Sequence, residues 1–238
     1  IQAGTLAGFD EVQLLDEPVA AVYAADTIKN YAGKTVLVFD LGGGTLDLAC
    51  CRITEDTINE VVINGDIHLG GSDWSEAFVS YIKSNALKGE VMDIEGEQEL
   101  VSKAEQAKIA LSRKEEASFT VMTGNGRKEI VVTRDEFESC TAHLLAKAMN
   151  ILADTKKSLE DKGVFCIDQI VLCGGASRMP KIISEIKKIY PKVSIYEKDV
   201  DQAVAKGAAI YASTLNENQL EIQKDQLSST TESGDGSE

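Results

Sequence analysis

The chain has 238 residues, 43% of them hydrophobic and 26% charged, enough to bury a sizeable core in one large domain or two small ones. It carries 39 acids against 24 bases, a formal charge of −15, so duplex nucleic acid and anionic membrane surfaces are repelled on average and neither is an expected partner. No apolar stretch is long enough to span a bilayer, and nothing resembles a signal peptide. The first residue, Ile1, is not Met, which points to a fragment or a processed product. The cysteines, Cys50, Cys51, Cys140, Cys166 and Cys173, are odd in number, form no Cys-x-x-Cys and mostly sit in apolar runs. Adjacent Cys50 and Cys51 on a strand would point to opposite faces, so they read as reduced core residues of a cytoplasmic protein rather than metal ligands. With only His68 and His143, a histidine-rich zinc site is not expected either.

In chain order, Val12 to Leu15 form a short apolar run. Pro18 then suits the first turn of a helix predicted to reach about Ile28. Thr35–Leu41, Leu46–Ile53 and Ile58–Asn64 read as three strands whose connections are too short for helical crossovers, hence an antiparallel meander. Helices are predicted from Trp74 to about Leu87 and from Gln98 to Ser112; on the second, Leu100, Ala104, Ala107 and Leu111 mark one face. Ala117 to Val132 alternates and turns at Gly124-Asn125-Gly126, a hairpin signal. Thr133-Arg-Asp-Glu136 is a capping box opening one long helix to about Lys162. Asp168–Cys173 reads as a buried strand, Pro180 starts a helix ending near Tyr190, Val193–Tyr196 is a brief strand, and a last helix runs from Asp201 to about Tyr211. Residues 216–238, rich in Ser, Thr, Gln, Glu and Gly, read as an acidic disordered tail.

The most informative stretch is Val36-Leu-Val-Phe-Asp-Leu-Gly-Gly-Gly-Thr-Leu-Asp47. Three glycines remove every Cβ, letting several N–H groups approach one anion, while Asp40 and Asp47 stand where a divalent cation or a polarised water needs carboxylates. An ordinary hairpin turn is the plain alternative, and the meander disfavours a Rossmann reading. Gly70-Gly71 and Gly174-Gly175 each precede a helix, whose first N–H groups and dipole suit phosphate. Any one glycine pair is weak; three sites together point to a nucleotide.

Asp40-Leu-Gly-Gly-Gly-Thr-Leu-Asp47, His68-Leu-Gly-Gly-Ser-Asp73 and Leu172-Cys-Gly-Gly-Ala-Ser-Arg-Met-Pro180 resemble, in order, the nucleotide-site signatures of the 70-kDa heat-shock chaperones (DnaK-like). Leu15-Asp-Glu-Pro-Val-Ala-Ala21 and Asp201-Gln-Ala-Val-Ala-Lys-Gly-Ala-Ala209 resemble two further family motifs, so the likeness covers nearly the whole chain before the tail. The resemblance implies an α/β, actin-like ATPase (ribonuclease H-like) fold, mainly the second lobe of a two-lobed nucleotide-binding domain. The first phosphate loop and catalytic lysine of the family are absent, which implies half a cleft and poor ATP hydrolysis by this piece alone. It also implies that residues 1–30 belong to the first lobe and the crossover, 31–69 and 142–215 to the base of the second lobe, and 70–141 to its upper subdomain.

By the same resemblance, Gly42, Gly43, Gly44 and Thr45 hold phosphates, with Gly70 and Gly71 beside them. Asp40 and Asp47 serve Mg2+ and its waters, and Glu17 sits near metal and attacking water, with Asp16 where the family usually has Asn. Glu105 and Lys108 reach the ribose, Ser112 approaches adenine, Arg178 stacks on it, and Gly174, Gly175 and Asp201 line the phosphate–ribose side of ATP or ADP. Read without the motifs, Glu105 and Lys108 are a solvated i,i+3 ion pair; Arg178 is a cation near a helix start, an unfavourable place that favours a ligand role. Ile109 stands where the family usually has an adenine-facing arginine, a loss of cation–π attraction of roughly 0.5–2 kcal/mol. The implied function is part of a chaperone ATPase domain in which nucleotide state gates a client-binding domain, with client polypeptides and co-chaperones as partners of the intact protein. The competing reading is a weakly nucleotide-binding, non-hydrolysing relative acting as a partner platform, which Ile109 and the acidic tail suit. An actin-like polymer former has no positive sign in the sequence.

Overall fold

The computed structural model describes residues 1–25, 32–54 and 57–215. Its centre is a five-stranded mixed sheet of β1 (Thr35–Leu41), β2 (Leu46–Ile53), β3 (Ile58–Asp66), β6 (Gln169–Cys173) and β7 (Ser194–Tyr196), in the order β3-β2-β1-β6-β7. The meander β1-β2-β3 is antiparallel as its short connections require, while β6 lies parallel to β1 and β7 parallel to β6.

Both faces of the sheet are covered, and the alternation of side chains sorts them. Leu37, Phe39 and Leu41 of β1, Leu46, Leu48 and Cys50 of β2, and Ile170 and Leu172 of β6 enter one apolar cluster with Leu152 and Leu159 of α6 (Ala142–Asp161) and Ile182 and Ile186 of α7 (Pro180–Ile189). Val36, Val38, Cys51, Ile53, Val171 and Cys173 enter the other, with α2 (Glu17–Ala24) and Ala203 of α8 (Ala203–Thr214). Cys50 and Cys51 thus part to opposite faces, as the strand period demands. A register shift between them leaves Val61 as the extra residue of β3, and Lys162 Nζ donates to its carbonyl at 2.6 Å. On the second face α2 and α8 cross closely, with Tyr23 and Tyr211 edge to face at 5.2 Å.

Between β3 and α6 come α3 (Gly71–Ser84), α4 (Ile94–Leu111), the hairpin β4–β5 (Glu116–Thr123, Gly126–Thr133) and α5 (Arg134–Cys140). Trp74, Phe78 and Ile82 of α3 and Leu100, Ala104, Ala107 and Leu111 of α4 are buried, and Phe78 meets Phe137 edge to face at 5.1 Å. These residues are continuous with the first sheet-face cluster.

Several boundaries differ from the sequence reading. α3 starts at Gly71, three residues early, and α4 at Ile94, because Asp93 accepts from Gly96 N at 2.8 Å and caps the helix. The single helix expected from Thr133 is two. Thr133 and Glu136 do form the capping box, but the chain leaves helical geometry at Thr141 (φ −104°, ψ 7°), whose Oγ1 donates to Phe137 O at 2.7 Å. α2 is described from Glu17 to Ala24, the expected stretch on to about Ile28 lying outside the described residues, and α8 continues to Thr214. The tail assigned to 216–238 lies outside the described residues. Among the described residues no helix is long and apolar enough to cross a membrane. A five-residue α1 (Gln2–Leu6), which buries none of its side chains, opens the chain.

Candidate nucleotide site

The parallel strands β1 and β6 end at the same edge of the sheet, with Asp40 registered on Cys173, and open sheets bind ligands at such carboxyl ends. The glycine turn Gly42–Gly44 leaves β1 there, closed by Gly42 N donating to Thr45 O at 3.0 Å. None of its three glycines adopts a left-handed φ, and a Cβ on Gly43 or Gly44 would meet nothing within 4 Å. Neither backbone geometry nor packing explains the bare backbone at these two positions, which favours a ligand that comes close. Gly43→Ala is therefore expected to leave the melting temperature within about 2 °C, since ordinary surface changes stay within about 0.5 kcal/mol. The same change should weaken magnesium–ADP binding several-fold, both measured on the purified chain.

The amides opening α3 go to the protein. Gly71 N donates to Gly42 O and Ser72 N to Gly43 O, each at 2.8 Å, while Gly70 N donates to Asp73 Oδ2 at 2.7 Å. The expectation that Gly70-Gly71 offers free helix-start amides to phosphate is corrected accordingly. A Cβ on Gly70 would lie 2.4 Å from Gly44 N, so this glycine lets the turn dock on the helix. Docking has an electrostatic result. Because a trans peptide points its C=O and the next N–H in opposite directions, pinning the carbonyls of Gly42 and Gly43 on α3 aims the N–H groups of Gly43 and Gly44 away from it. The positive end of α3 is relayed through two oriented peptides to those N–H groups.

Three acids gather at the turn. Asp40 and Asp47 are register partners on β1 and β2. Burial first, then the charges of Glu17 and Asp47, push the Asp40 carboxyl up to about 6. Thr45 Oγ1 donates to Asp47 Oδ2 at 2.7 Å, so its hydroxyl shows lone pairs rather than a proton to a ligand. Gly174, at φ +74°, lets the chain pass β1: a Cβ there would sit 2.3 Å from Leu41 O and 2.5 Å from Asp40 Oδ1. Among the described residues no three acid, histidine or cysteine side chains converge closely enough to ligate one metal ion directly.

Beside the turn lies a cavity of about 610 Å³, within the range of small-molecule sites. Its walls include Gly42, Gly43, Gly71, Glu105, Lys108, Ser112, Gly175, Arg178 and Asp201 from the expected set, together with Ile109. Glu17, Asp40, Gly44, Thr45, Asp47, Gly70 and Gly174 stand outside these walls. Arg178 Nη2 reaches Asp201 Oδ2 at 2.9 Å, and Gly174 N donates to Val200 O at 3.2 Å, tying the loop after β6 to the segment before α8. Lys108 is only 7% exposed, and its ammonium meets Gly71 O at 2.8 Å, Ser75 Oγ at 2.7 Å and Glu105 Oε2 at 2.8 Å. All three protons have protein acceptors, so a ribose hydroxyl would have to displace one. The Glu105 carboxyl, although burial raises it, ends below its usual range through hydrogen bonds from Lys108 and Ser75 and the ammonium charge.

Residues that sequence reading did not single out also form walls: Ser72, Arg113, Ala176, Met179, Glu197 and Val200. Arg113 alone had a usable signal, since helical spacing carries the stripe of Glu105 and Ile109 on to it.

A mixed sheet with helices on both faces, presenting at its carboxyl edge a glycine turn between acids, is an actin-like ATPase fold. The chain belongs to the Hsp70 family: the family described as "Hsp70 protein" matches residues 1–227. It is 34% identical over 227 residues to "Chaperone protein DnaK" of Anaplasma marginale (strain St. Maries), covering 90% of this chain and 35% of that protein. It is 34% identical over 228 residues to the protein of the same name from Thermosipho melanesiensis (strain DSM 12029 / CIP 104789 / BI429), covering 90% of this chain and 37% of that protein. The chain thus spans about a third of the length of the curated relatives it matches.

Proposed function

We propose that this chain forms one side of the ATP/ADP cleft of a chaperone ATPase. The glycine turn carries the reading: its carbonyls are fixed on α3, two of its N–H groups face away from the helix, and no fold requirement accounts for the bare backbone at Gly43 and Gly44. Those amides hold phosphate. Asp40 and Asp47 hold magnesium through its water shell, and Glu17 orients water beside it. Glu105, Lys108 and Ser112 face ribose and base, Arg178 stacks on the base, and Gly175 with Asp201 closes the ribose side. Residues 31–69 and 142–215 act as the base of the second lobe and 70–141 as its upper subdomain. In the intact protein, nucleotide turnover gates client polypeptides and co-chaperones in a cytoplasmic stress response.

The test uses the titration of Asp40. Its folded value near 6 lies above the ordinary 3.8, so between those pH values the folded chain keeps a proton that the unfolded chain has lost. The stability this contributes is full below about 4 and lost as pH rises through about 6, where the buried charge and its acidic neighbours oppose folding. Asp40→Asn is expected to melt higher than the parent at pH 7.5 and equally at pH 4. Magnesium–ADP should raise the melting temperature of the parent at pH 7.5 and do markedly less for the Asn variant, with calorimetric heats following the same order. If millimolar magnesium–ADP gives the parent neither heat nor a melting shift, the nucleotide reading fails.

A second reading is favoured by one observation: Ile109, 58% exposed, stands on the cavity wall, where the family resemblance implies an arginine. It makes the protein a weak nucleotide binder that serves as a partner platform. ATP turnover by the intact protein no greater than that of its Asp40→Asn variant would select it.

A further inference from the structure

Five residues of α4 and its C-terminal turn line the cavity: Glu105, Lys108, Ile109, Ser112 and Arg113. Their steps of three and one place them on one helical stripe running along the wall. Of the cations on the cavity, Lys108 is held by three protein acceptors and Arg178 is paired with Asp201. The guanidinium of Arg113 alone among these has no hydrogen-bond or ion-pair partner among the described residues, its backbone N–H going to Ala110 O. A positive charge just past a helix C-terminus is favourable in itself, which accounts for a cation there. It does not account for a side chain that reaches the cavity wall and stays unpaired in a chain of net charge −15. Directly one turn back, exposed Ile109 offers an apolar surface on the same stripe. A flat cation beside an apolar side chain suits the face of an aromatic ring, because the guanidinium stacks on it and the aliphatic neighbour excludes water.

We infer that Arg113 is a base-contacting residue: its guanidinium takes one face of the nucleotide's purine from the end of α4, while Arg178 approaches from the loop after β6. The inference rests on the nucleotide reading of the cavity and adds a residue that sets preference for a nucleotide over its phosphates alone.

The test compares magnesium–ADP with magnesium–pyrophosphate, which has no base, on the parent chain, Arg113→Ala and Arg113→Ala/Ile109→Arg, using calorimetry backed by saturation-transfer NMR for weak complexes. Circular dichroism melts confirm folding of the variants. Arg113→Ala is expected to weaken ADP about 3- to 20-fold and leave pyrophosphate unchanged. The double variant, which returns a guanidinium to the same stripe, should recover most of the loss. Unchanged ADP affinity in Arg113→Ala, or equal weakening of ADP and pyrophosphate, overturns the base contact while leaving the nucleotide site standing. A parent chain that binds neither ligand overturns the nucleotide reading and this inference with it.

Discussion

Gly207→Ala is expected to lower stability by about 3 kcal/mol, read as a fall in both urea midpoint and melting temperature. Gly207 lies in α8 where it crosses α2, and a Cβ there would fall 1.6 Å from Ala20 O and 2.4 Å from Ala20 C. Two opposing effects set the sign. Alanine is the better helix former by about 1 kcal/mol, so on an exposed helix the substitution would stabilise. Here the obstructing atoms are backbone atoms of another helix and cannot rotate aside. α8 must back away from α2, opening the cluster of Val22, Ala25, Val36 and Ala203 on that face of the sheet. With roughly 2–4 °C per kcal/mol for a domain of this size, the melting temperature should drop by roughly 6–12 °C. A stabilised Gly207→Ala variant would mean that the two helices do not touch at this point.

Lys108→Met is expected to cost about 2–3 kcal/mol and to weaken magnesium–ADP binding at the same time. Methionine keeps the packing of the buried stem and deletes only the ammonium. That cation joins three elements of the wall: the carbonyl of Gly71 at the start of α3, Ser75 one turn along, and Glu105 on α4. Its removal leaves the Glu105 carboxylate, half-exposed and still accepting from Ser75, without its counter-charge, so the loss should fall short of that for a fully buried pair. Pairing the change with Glu105→Gln should recover part of the stability, because the double variant no longer strands a charge. A double variant whose loss equals the sum of the single losses would show that the two side chains act independently.

The strands were legible because burial on both faces leaves an almost continuous apolar run, as in Val36 to Leu41, with a glycine turn to end it. The hairpin and the Thr133–Glu136 box carried their own local chemistry. The break at Thr141 was not legible, because helical periodicity runs through it and only the tertiary setting decides whether a threonine hydroxyl takes the carbonyl four residues back. The Asp93 cap lay just ahead of a stretch whose apolar stripe begins later, at Leu100. For the site, the sequence named the glycines and acids but not their division of labour. That Gly70 exists to admit the turn, and that α3 gives its first amides to Gly42 and Gly43, depends on contacts between segments about 30 residues apart, which no local pattern encodes. The burial of Lys108 escaped notice for the same reason: an i,i+3 pair looks identical in sequence whether solvent or another helix faces it.

The central sheet also fixes how this molecule meets oxidants and alkylating agents. Cys50, Cys51 and Cys173 lie inside it, and burial pushes each thiol up to about 12; for Cys173 the charges of Asp40 and Glu17 add to the effect. Because the thiolate is the reactive species, these sulfurs are silent while strands β1, β2 and β6 stay paired, however oxidising the surroundings. Their chemistry is set by how often the sheet opens, not by redox poise, so reagent uptake at these positions clocks the opening of the strands that carry the nucleotide edge.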